Sequence, residues 1–169
     1  MKLLFSLVLL CLLGTTTVAS AATPGEVPIG GMLRPAPMQG LSGPSRELSE
    51  FRGKPLIINV WASWCGPCRA EMGSLERLAR RGGNKFTVIG ISTDDYRDKA
   101  MAFLQQYKTS FSHFIDTRLF LENMLGADRL PLTLLVDPQG RVLAKHYGAK
   151  EWDSPETMEV IGKTFRIKM

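Results

Sequence analysis

A Cys-x-x-Cys pair between a buried strand and a helix is the feature that most limits what this chain can fold into. The run Leu56–Trp61 is almost wholly apolar and rich in β-branched residues, which predicts a strand buried on both faces. Cys65 and Cys68 come just after it, and over residues 67–81 apolar side chains recur at helical spacing until Gly82. The pair is therefore predicted at a strand-to-helix junction.

Strands and helices alternate along the rest of the chain. The turn Asp137–Gly140 joins the last two strands into a hairpin, Thr93–Asp95 are expected to cap the second helix, and Ser154 the last one. The order β-α-β-α-β-α-β-β-α predicts an α/β fold with a central mixed sheet, helices on both faces and an antiparallel C-terminal hairpin. The further strands are predicted at 86–92, 111–115, 132–136 and 141–147, and the further helices at 93–107, 118–125 and from 154 onward.

The position of Cys65 gives its sulfur a particular chemistry. At a helix N-terminus, unpaired N–H groups and the helix dipole stabilise a thiolate and lower the pKa of the thiol. Cys68 lies one turn into the helix, where it can attack a mixed disulfide on Cys65. Pro67 pre-sets the first helical turn, and Gly66 leaves room for a partner backbone. Cys65 is therefore predicted to attack and Cys68 to resolve.

Two other uses of the pair remain open at this point. Half a zinc site would need further ligands, but only His113 and His146 supply nitrogen, at no zinc-finger spacing. A purely structural disulfide is the other alternative, although so small a ring constrains little chain. Redox activity without a metal or organic cofactor is the favoured interpretation, and both histidines are expected to be surface or satisfied core residues.

The N-terminus predicts export. Lys2 precedes a short apolar run, and Ala19 and Ala21 fit the A-x-A rule, which predicts a signal peptide over residues 1–21 and a mature chain from Ala22. Cys11 lies inside the apolar run and would be lost on cleavage; the alternative is an uncleaved membrane anchor. We expect a periplasmic protein, where an oxidising environment acts on its two remaining cysteines.

Composition separates a leader from the domain and excludes one class of partner. Residues 22–45 are rich in proline and glycine, which predicts an extended leader lying on, or leading to, a domain over residues 46–169. With 21 basic and 16 acidic residues, the net charge of +5 is modest, and no basic run is interleaved with aromatics. We therefore expect no nucleic-acid partner.

The segment Val60-Trp61-Ala62-Ser63-Trp64-Cys65-Gly66-Pro67-Cys68 resembles the thioredoxin superfamily signature. The register from Gly53-Lys54 through Glu71 is similar to that of its exported branch, the TlpA/ResA/DsbE-like thiol–disulfide oxidoreductases. The likeness runs from about Gly40 to the C-terminal helix and implies a thioredoxin-like fold. The chain departs from the branch at Gly73, where a proline is usual.

The resemblance implies roles for residues outside the cysteine pair. The segment Leu130–Pro131 matches the family's cis-proline segment, whose preceding backbone pairs with a substrate strand, although an ordinary trans strand start is the alternative. Trp64, Gly66, Pro67 and Leu130 are thus expected to contact substrate. Asn59 stands where cytosolic thioredoxins have a buried acid, so Glu71 becomes the candidate for tuning the cysteine pKa values; a solvated helix charge is its alternative.

The expected function is disulfide exchange with partner proteins. The branch favours a reductant in cytochrome c maturation or thiol repair, supplied with electrons by a membrane-embedded reductase and acting as a monomer. A disulfide oxidant or isomerase is the alternative, and a thioredoxin-fold copper chaperone ranks below it because the spacing is C-x-x-C and no histidine is evidently placed. The sequence does not fix the direction of electron flow.

Overall fold

The computed structural model describes residues 23–169, so the expected signal peptide, its Cys11 and Ala22 lie outside the described residues. The strands are β1 (Pro37–Gly40), β2 (Arg46–Glu47), β3 (Leu56–Trp61), β4 (Thr87–Ser92), β5 (Ser112–Ile115), β6 (Leu132–Val136) and β7 (Val142–Tyr147). The helices are α1 (Gly66–Gly82), α2 (Arg97–Tyr107), α3 (Phe120–Leu125) and α4 (Pro155–Phe165), with a 3-10 turn at Leu48–Phe51.

The described strands form one mixed sheet in the order β2-β1-β5-β4-β3-β6-β7. Strand β3 pairs in parallel with β4 and antiparallel with β6, and β6 and β7 form the antiparallel hairpin. Parallel pairing brings the carboxyl ends of β3 and β4 together, with Trp61 opposite Ser92. The predicted mixed sheet and hairpin are confirmed.

Helices cover both faces of the sheet because β3 alternates its apolar side chains between two cores. Ile57 and Trp61 pack with apolar residues of α1, α2 and α4 in one core. Ile58 and Val60 pack in the other core, which α3 and residues from the N-terminal segment complete. Helix α1, which carries the cysteine pair, therefore rests on the first core through Met72, Leu75 and Leu78.

The segment for which the sequence predicts an extended leader contributes to this fold. Strand β1 pairs with β5, and Val27, Leu33 and Met38 are buried in the second core. The strand is four residues long and contains both a proline and a glycine, so no periodicity marks it. Pairing with β5 and burial of Met38, rather than local propensity, place it in the sheet.

The predicted caps have different outcomes. Ser154 accepts a hydrogen bond from the Thr157 N–H at the start of α4, as expected. The cap expected for α2 is wrong, because this helix begins at Arg97 behind Tyr96, which makes no side-chain cap. The Asp94 carboxylate is turned to the loop before α1 instead. Within residues 23–169, no helix combines the length and apolar character needed to cross a membrane.

Candidate active site

Cys65 and Cys68 form a disulfide at the start of α1, with an S–S distance of 2.08 Å. Cys65 is the N-cap residue, and its Sγ accepts a hydrogen bond of 3.1 Å from the Cys68 N–H. Cys65 is 5% exposed, whereas Cys68 is fully buried. An attacking group from solvent therefore reaches Cys65 first, and the helix terminus would stabilise its thiolate after reduction.

A tight turn connects β3 to the cysteine pair. The Cys65 N–H donates to the Ala62 carbonyl at 3.1 Å, which closes the turn after β3. Trp64 projects from it with 67% of its surface exposed, and Gly66 and Pro67 are also exposed. Three of the four residues expected to contact substrate are thus exposed on either side of Cys65 in the chain.

The segment before β6 lies next to this turn. The Leu130–Pro131 peptide bond is cis, in agreement with the prediction. In the β3–β6 pairing Val60 lies opposite Leu132, which places Pro131 beside the end of β3 that leads to the cysteines. Leu130 packs against the core cluster that contains Cys65 and Cys68. The two segments that the resemblance links are therefore adjacent in the fold.

Glu71 lies on the buried side of the cysteine helix α1, with only 1% of its surface exposed. Its Oε1 accepts a hydrogen bond from Asn59 Nδ2 at 2.8 Å, and its Oε2 accepts from Trp152 Nε1 at 2.8 Å and from the Lys150 N–H at 3.1 Å. Burial raises the pKa of the Glu71 carboxyl, and the three donors oppose that effect only in part. The alternative of a solvated helix charge is thereby excluded.

Comparison with known proteins assigns the family. A family model described as Redoxin matches residues 35–161. The chain belongs to the Redoxin family. The thioredoxin-like resemblance drawn from the motif is confirmed by this match and by the structural relatives below.

Three relatives of this redoxin are named as thiol–disulfide interchange proteins or oxidoreductases. It is 34% identical over 114 residues to the thiol:disulfide interchange protein DsbE of Vibrio cholerae, a match that covers 66% of this chain but only 60% of that protein. It is 30% identical to the thiol-disulfide oxidoreductase ResA of Halalkalibacterium halodurans, over 73% of this chain and 72% of that one. It superposes on a Chlorobium tepidum crystal structure assigned as DsbE with a TM-score of 0.75 and 26% identity, covering 82% of this chain and 99% of that one.

Several residues of the redoxin site were missed by sequence reasoning. No sequence motif marks Trp152, yet its indole N–H donates to Glu71. Thr133 Oγ1 accepts a hydrogen bond of 3.0 Å from Asn59 Nδ2, so the strand after Pro131 is joined to the same network. The residues of this network come from β3, α1, β6 and the β7–α4 loop, which are distant in sequence. No local pattern could reveal them.

The two histidines lie away from any ligand cluster in the part of the chain that the structure describes. His113 is buried on β5, its Nε2 is 2.8 Å from Thr109 Oγ1, and burial lowers its pKa to about 3. His146 on β7 is half-buried, with its ring edge against Trp152. Among residues 23–169, no group of three or more His, Cys, Asp or Glu is placed to hold a metal ion.

Proposed function

We propose that the chain is an exported thiol–disulfide oxidoreductase that reduces disulfides of partner proteins. The Cys65 thiolate attacks one sulfur of a partner disulfide, a Cys65–partner S–S bond forms, and the other partner sulfur leaves as a thiolate. The Cys68 thiolate then attacks Cys65 Sγ, which releases the second partner thiolate. The partner gains two electrons and this chain is left as the Cys65–Cys68 disulfide.

One observation carries the proposal. Cys65 Sγ occupies the N-cap of α1 and accepts the Cys68 N–H, while Cys68 is buried behind it. This arrangement favours a thiolate at the accessible cysteine and keeps the second one within reach of a mixed disulfide. A structural disulfide needs neither an N-cap sulfur nor an asymmetry in exposure.

We assign Glu71 to the proton transfers at Cys68. It lies three residues further along α1, on the same face, and its carboxyl is shielded from solvent. Cys68 must lose a proton before it attacks and regain one when the disulfide is reduced. A carboxyl group with a raised pKa suits both transfers near neutral pH.

The partner is proposed to bind across the exposed turn and the cis-proline segment. Trp64, Gly66 and Pro67 provide the surface on one side of Cys65, and the backbone at Leu130 provides a pairing edge on the other. An extended polypeptide can add a short strand at such an edge. Partner thiols and disulfides are thus recognised largely through main chain, which suits several protein substrates.

The direction of electron flow is proposed from the relatives and the motif. The ResA and DsbE resemblance favours a reductant in cytochrome c maturation or thiol repair, fed by a membrane-embedded reductase, and the Gly-Pro dipeptide agrees with it. A structural relative from Mycobacterium tuberculosis is described as a secreted disulfide oxidoreductase. We propose that this chain works in the periplasm, because its N-terminal sequence resembles a signal peptide and this relative is described as secreted.

The reduction potential of the Cys65–Cys68 couple tests this proposal. The mature chain is equilibrated with glutathione buffers, and a Cys65→Ser variant serves as the blank. A value near that of thioredoxin, about −270 mV, supports a reductant. A value near about −120 mV identifies a disulfide oxidant instead, and the absence of any reversible couple overturns the redox function altogether.

A further inference from the structure

The Asp94 carboxylate, two residues after the end of β4, holds the turn that carries Cys65. It accepts the Ser63 N–H at 2.9 Å through Oδ2 and the Ser63 hydroxyl at 2.6 Å through Oδ1. The Ser92 hydroxyl donates to Oδ2 at 2.7 Å. Ser63 is two residues before Cys65, and the Cys65 N–H closes the same turn onto Ala62. A single carboxylate thus fixes the backbone that leads into the nucleophile.

This carboxylate is buried, and its hydrogen-bond donors are neutral. Asp94 is 3% exposed, and within residues 23–169 it forms no ion pair. Its three donors are neutral N–H and O–H groups, so within the described residues its negative charge has no counter-charge.

The charged groups around Asp94 do not neutralise it. The Arg97 guanidinium donates instead to the carbonyls of Gly40 and Leu41. Asp116, whose N–H binds the Ser92 carbonyl, and Glu122 are themselves acids, and burial raises the pKa of both carboxyls. The buried ionisable residues of α1, Glu71 and Glu76, are also acids. Asp94 is therefore the fixed negative charge tied most directly to the cysteine turn.

We propose that Asp94 is a positioning residue that also opposes the α1 helix dipole at Cys65, so that it weakens the thiolate and favours electron donation. The inference rests on the proposed redox function and deepens it. A less stable thiolate makes the reduced protein less stable relative to its disulfide. Because Cys65 lies only two residues beyond Ser63, the two charges are separated by about 10 Å or less. Both Asp94 and Cys65 are buried, so solvent screens the two charges only weakly.

Two substitutions separate the charge of Asp94 from its contacts. An asparagine fits the same space: its oxygen in place of Oδ2 accepts from the Ser63 N–H and the Ser92 hydroxyl, and its amide in place of Oδ1 donates to the Ser63 hydroxyl oxygen. Asp94→Asn thus removes charge and keeps the turn. Ser63→Ala removes one donor that offsets the charge and keeps the carboxylate. Asp95→Asn is the matched control, since Asp95 is exposed.

The test is the pH dependence of Cys65 alkylation by iodoacetamide in the reduced mature chain. We expect Asp94→Asn to lower the pKa of Cys65 and to speed alkylation at pH 7 about threefold, with the glutathione equilibrium shifted toward the dithiol. Ser63→Ala should raise the pKa of Cys65, and Asp95→Asn should leave it near that of the unmodified chain. Loosening of the turn alone would move the Asp94 and Ser63 variants in the same direction.

The inference is overturned if Asp94→Asn matches Asp95→Asn, or if both turn variants shift the pKa of Cys65 the same way. If Asp94→Asn does not fold, Ser63→Ala decides: a pKa of Cys65 that falls or stays unchanged contradicts the inference. Failure of the proposed function shows itself differently, because the unmodified chain would then lack a reversible disulfide. If the unmodified chain has a reversible Cys65–Cys68 couple but Asp94→Asn does not change the pKa of Cys65, only the role of Asp94 is refuted.

Discussion

At the scale of single residues, the site divides labour between two cysteines that differ in burial. Cys65 meets solvent at the helix N-cap, and Cys68 is fully enclosed behind it. The same helix terminus that would stabilise a Cys65 thiolate also aims a backbone N–H at its sulfur. The order of attack proposed above follows from this asymmetry rather than from the presence of two thiols.

Replacing the buried cysteine should trap the reaction halfway. In Cys68→Ser the mixed disulfide on Cys65 cannot be resolved, so we expect covalent complexes with partner proteins. Dithiothreitol should reduce the intermolecular disulfide and separate these complexes. Non-reducing electrophoresis of the variant, mixed with an oxidised model substrate, measures this. Cys65→Ser is the matched control and should trap no complex. Equal trapping by the two variants would contradict the assigned order.

Removing the charge of Glu71 should slow exchange without weakening the fold. The folded-state pKa of Glu71 is raised, so its buried carboxyl contributes most stability below its unfolded pKa and loses that contribution as pH rises. A permanently neutral Glu71→Gln variant therefore escapes this loss at pH 7. We expect slower insulin reduction across pH 6 to 8 and an unfolding free energy at pH 7 that does not fall.

The control for this prediction is Glu159→Gln, which removes an exposed carboxylate on α4. It should leave the reduction rate unchanged. A Glu71→Gln chain that reduces insulin at the normal rate would remove Glu71 from the proton transfers. A chain that loses stability as well as rate would point to a structural role in its hydrogen-bond network.

At the scale of elements, the loops after β3 and β4 and the segment before β6 form the site because the sheet brings their ends together. Parallel pairing places Trp61 beside Ser92, and antiparallel pairing places Val60 beside Leu132. The β7–α4 loop folds over α1 from the other side, where Trp152 and the Lys150 N–H meet Glu71. Helix α4 begins directly after that loop and holds it against the core.

The N-cap of α4 should therefore matter for stability. Ser154→Ala leaves the Thr157 N–H without its side-chain acceptor, and we expect a loss of about 1 kcal/mol in unfolding free energy. Urea denaturation of the oxidised chain measures it. Ser154→Asp supplies a carboxylate acceptor in place of the hydroxyl and should restore most of the lost unfolding free energy. An alanine variant as stable as the original chain would show that packing alone sets the start of α4.

The elements that could be predicted from the sequence are those that encode themselves locally. Strands β3 and β6 are apolar runs, and α4 carries both a serine cap and a proline at its first turn. Strand β1 could not be predicted because its four residues become a strand only by pairing with β5. The start of α2 was misplaced because the Asp94 carboxylate binds Ser63 rather than a helix N–H.

The residues of the candidate site likewise fall into those that local sequence patterns predict and those that only the tertiary fold brings together. The cysteine pair, its exposed neighbours and the cis-proline follow from the motif and the family resemblance. Trp152 and Thr133 do not, since they reach Glu71 and Asn59 only through the tertiary fold, 81 and 74 residues away along the chain. Local patterns therefore identify the cysteine pair, and the packed structure identifies the groups that we propose tune it.

At the scale of the whole molecule, one buried histidine links folding to pH. His113 lies in the core between Trp61 and Phe111 and is only 1% exposed. Burial lowers its pKa to about 3 from 6.5. Below pH 6.5 His113 is protonated in the unfolded chain, whereas in the folded chain it stays neutral down to about pH 3. The contribution of His113 is therefore fully present above pH 6.5 and is lost as pH falls.

This linkage predicts a measurable difference between two variants. From pH 6.5 to 4.5 the unmodified chain should lose more stability than His113→Gln, by about 2 kcal/mol, because each pH unit costs about 1.4 kcal/mol while only the unfolded state is protonated. Urea titrations at both pH values measure it. His146→Gln is the control and should keep most of the pH dependence, since this half-buried ring accounts for less of it. Parallel curves for His113→Gln and the unmodified chain would refute the linkage.

The two edges of the sheet are protected in different ways, which has a consequence for solubility. One edge strand, β2, is only two residues long, and both its residues are charged and exposed. At the other edge, the backbone of Gly30 and Gly31 hydrogen-bonds to Val142 and covers the start of β7. Long unpaired edges are templates for aggregation, and short, charged or covered ones resist it. A protein proposed to bind an extended partner segment can thus accept that strand beside its cysteines without its sheet edges recruiting further copies of itself.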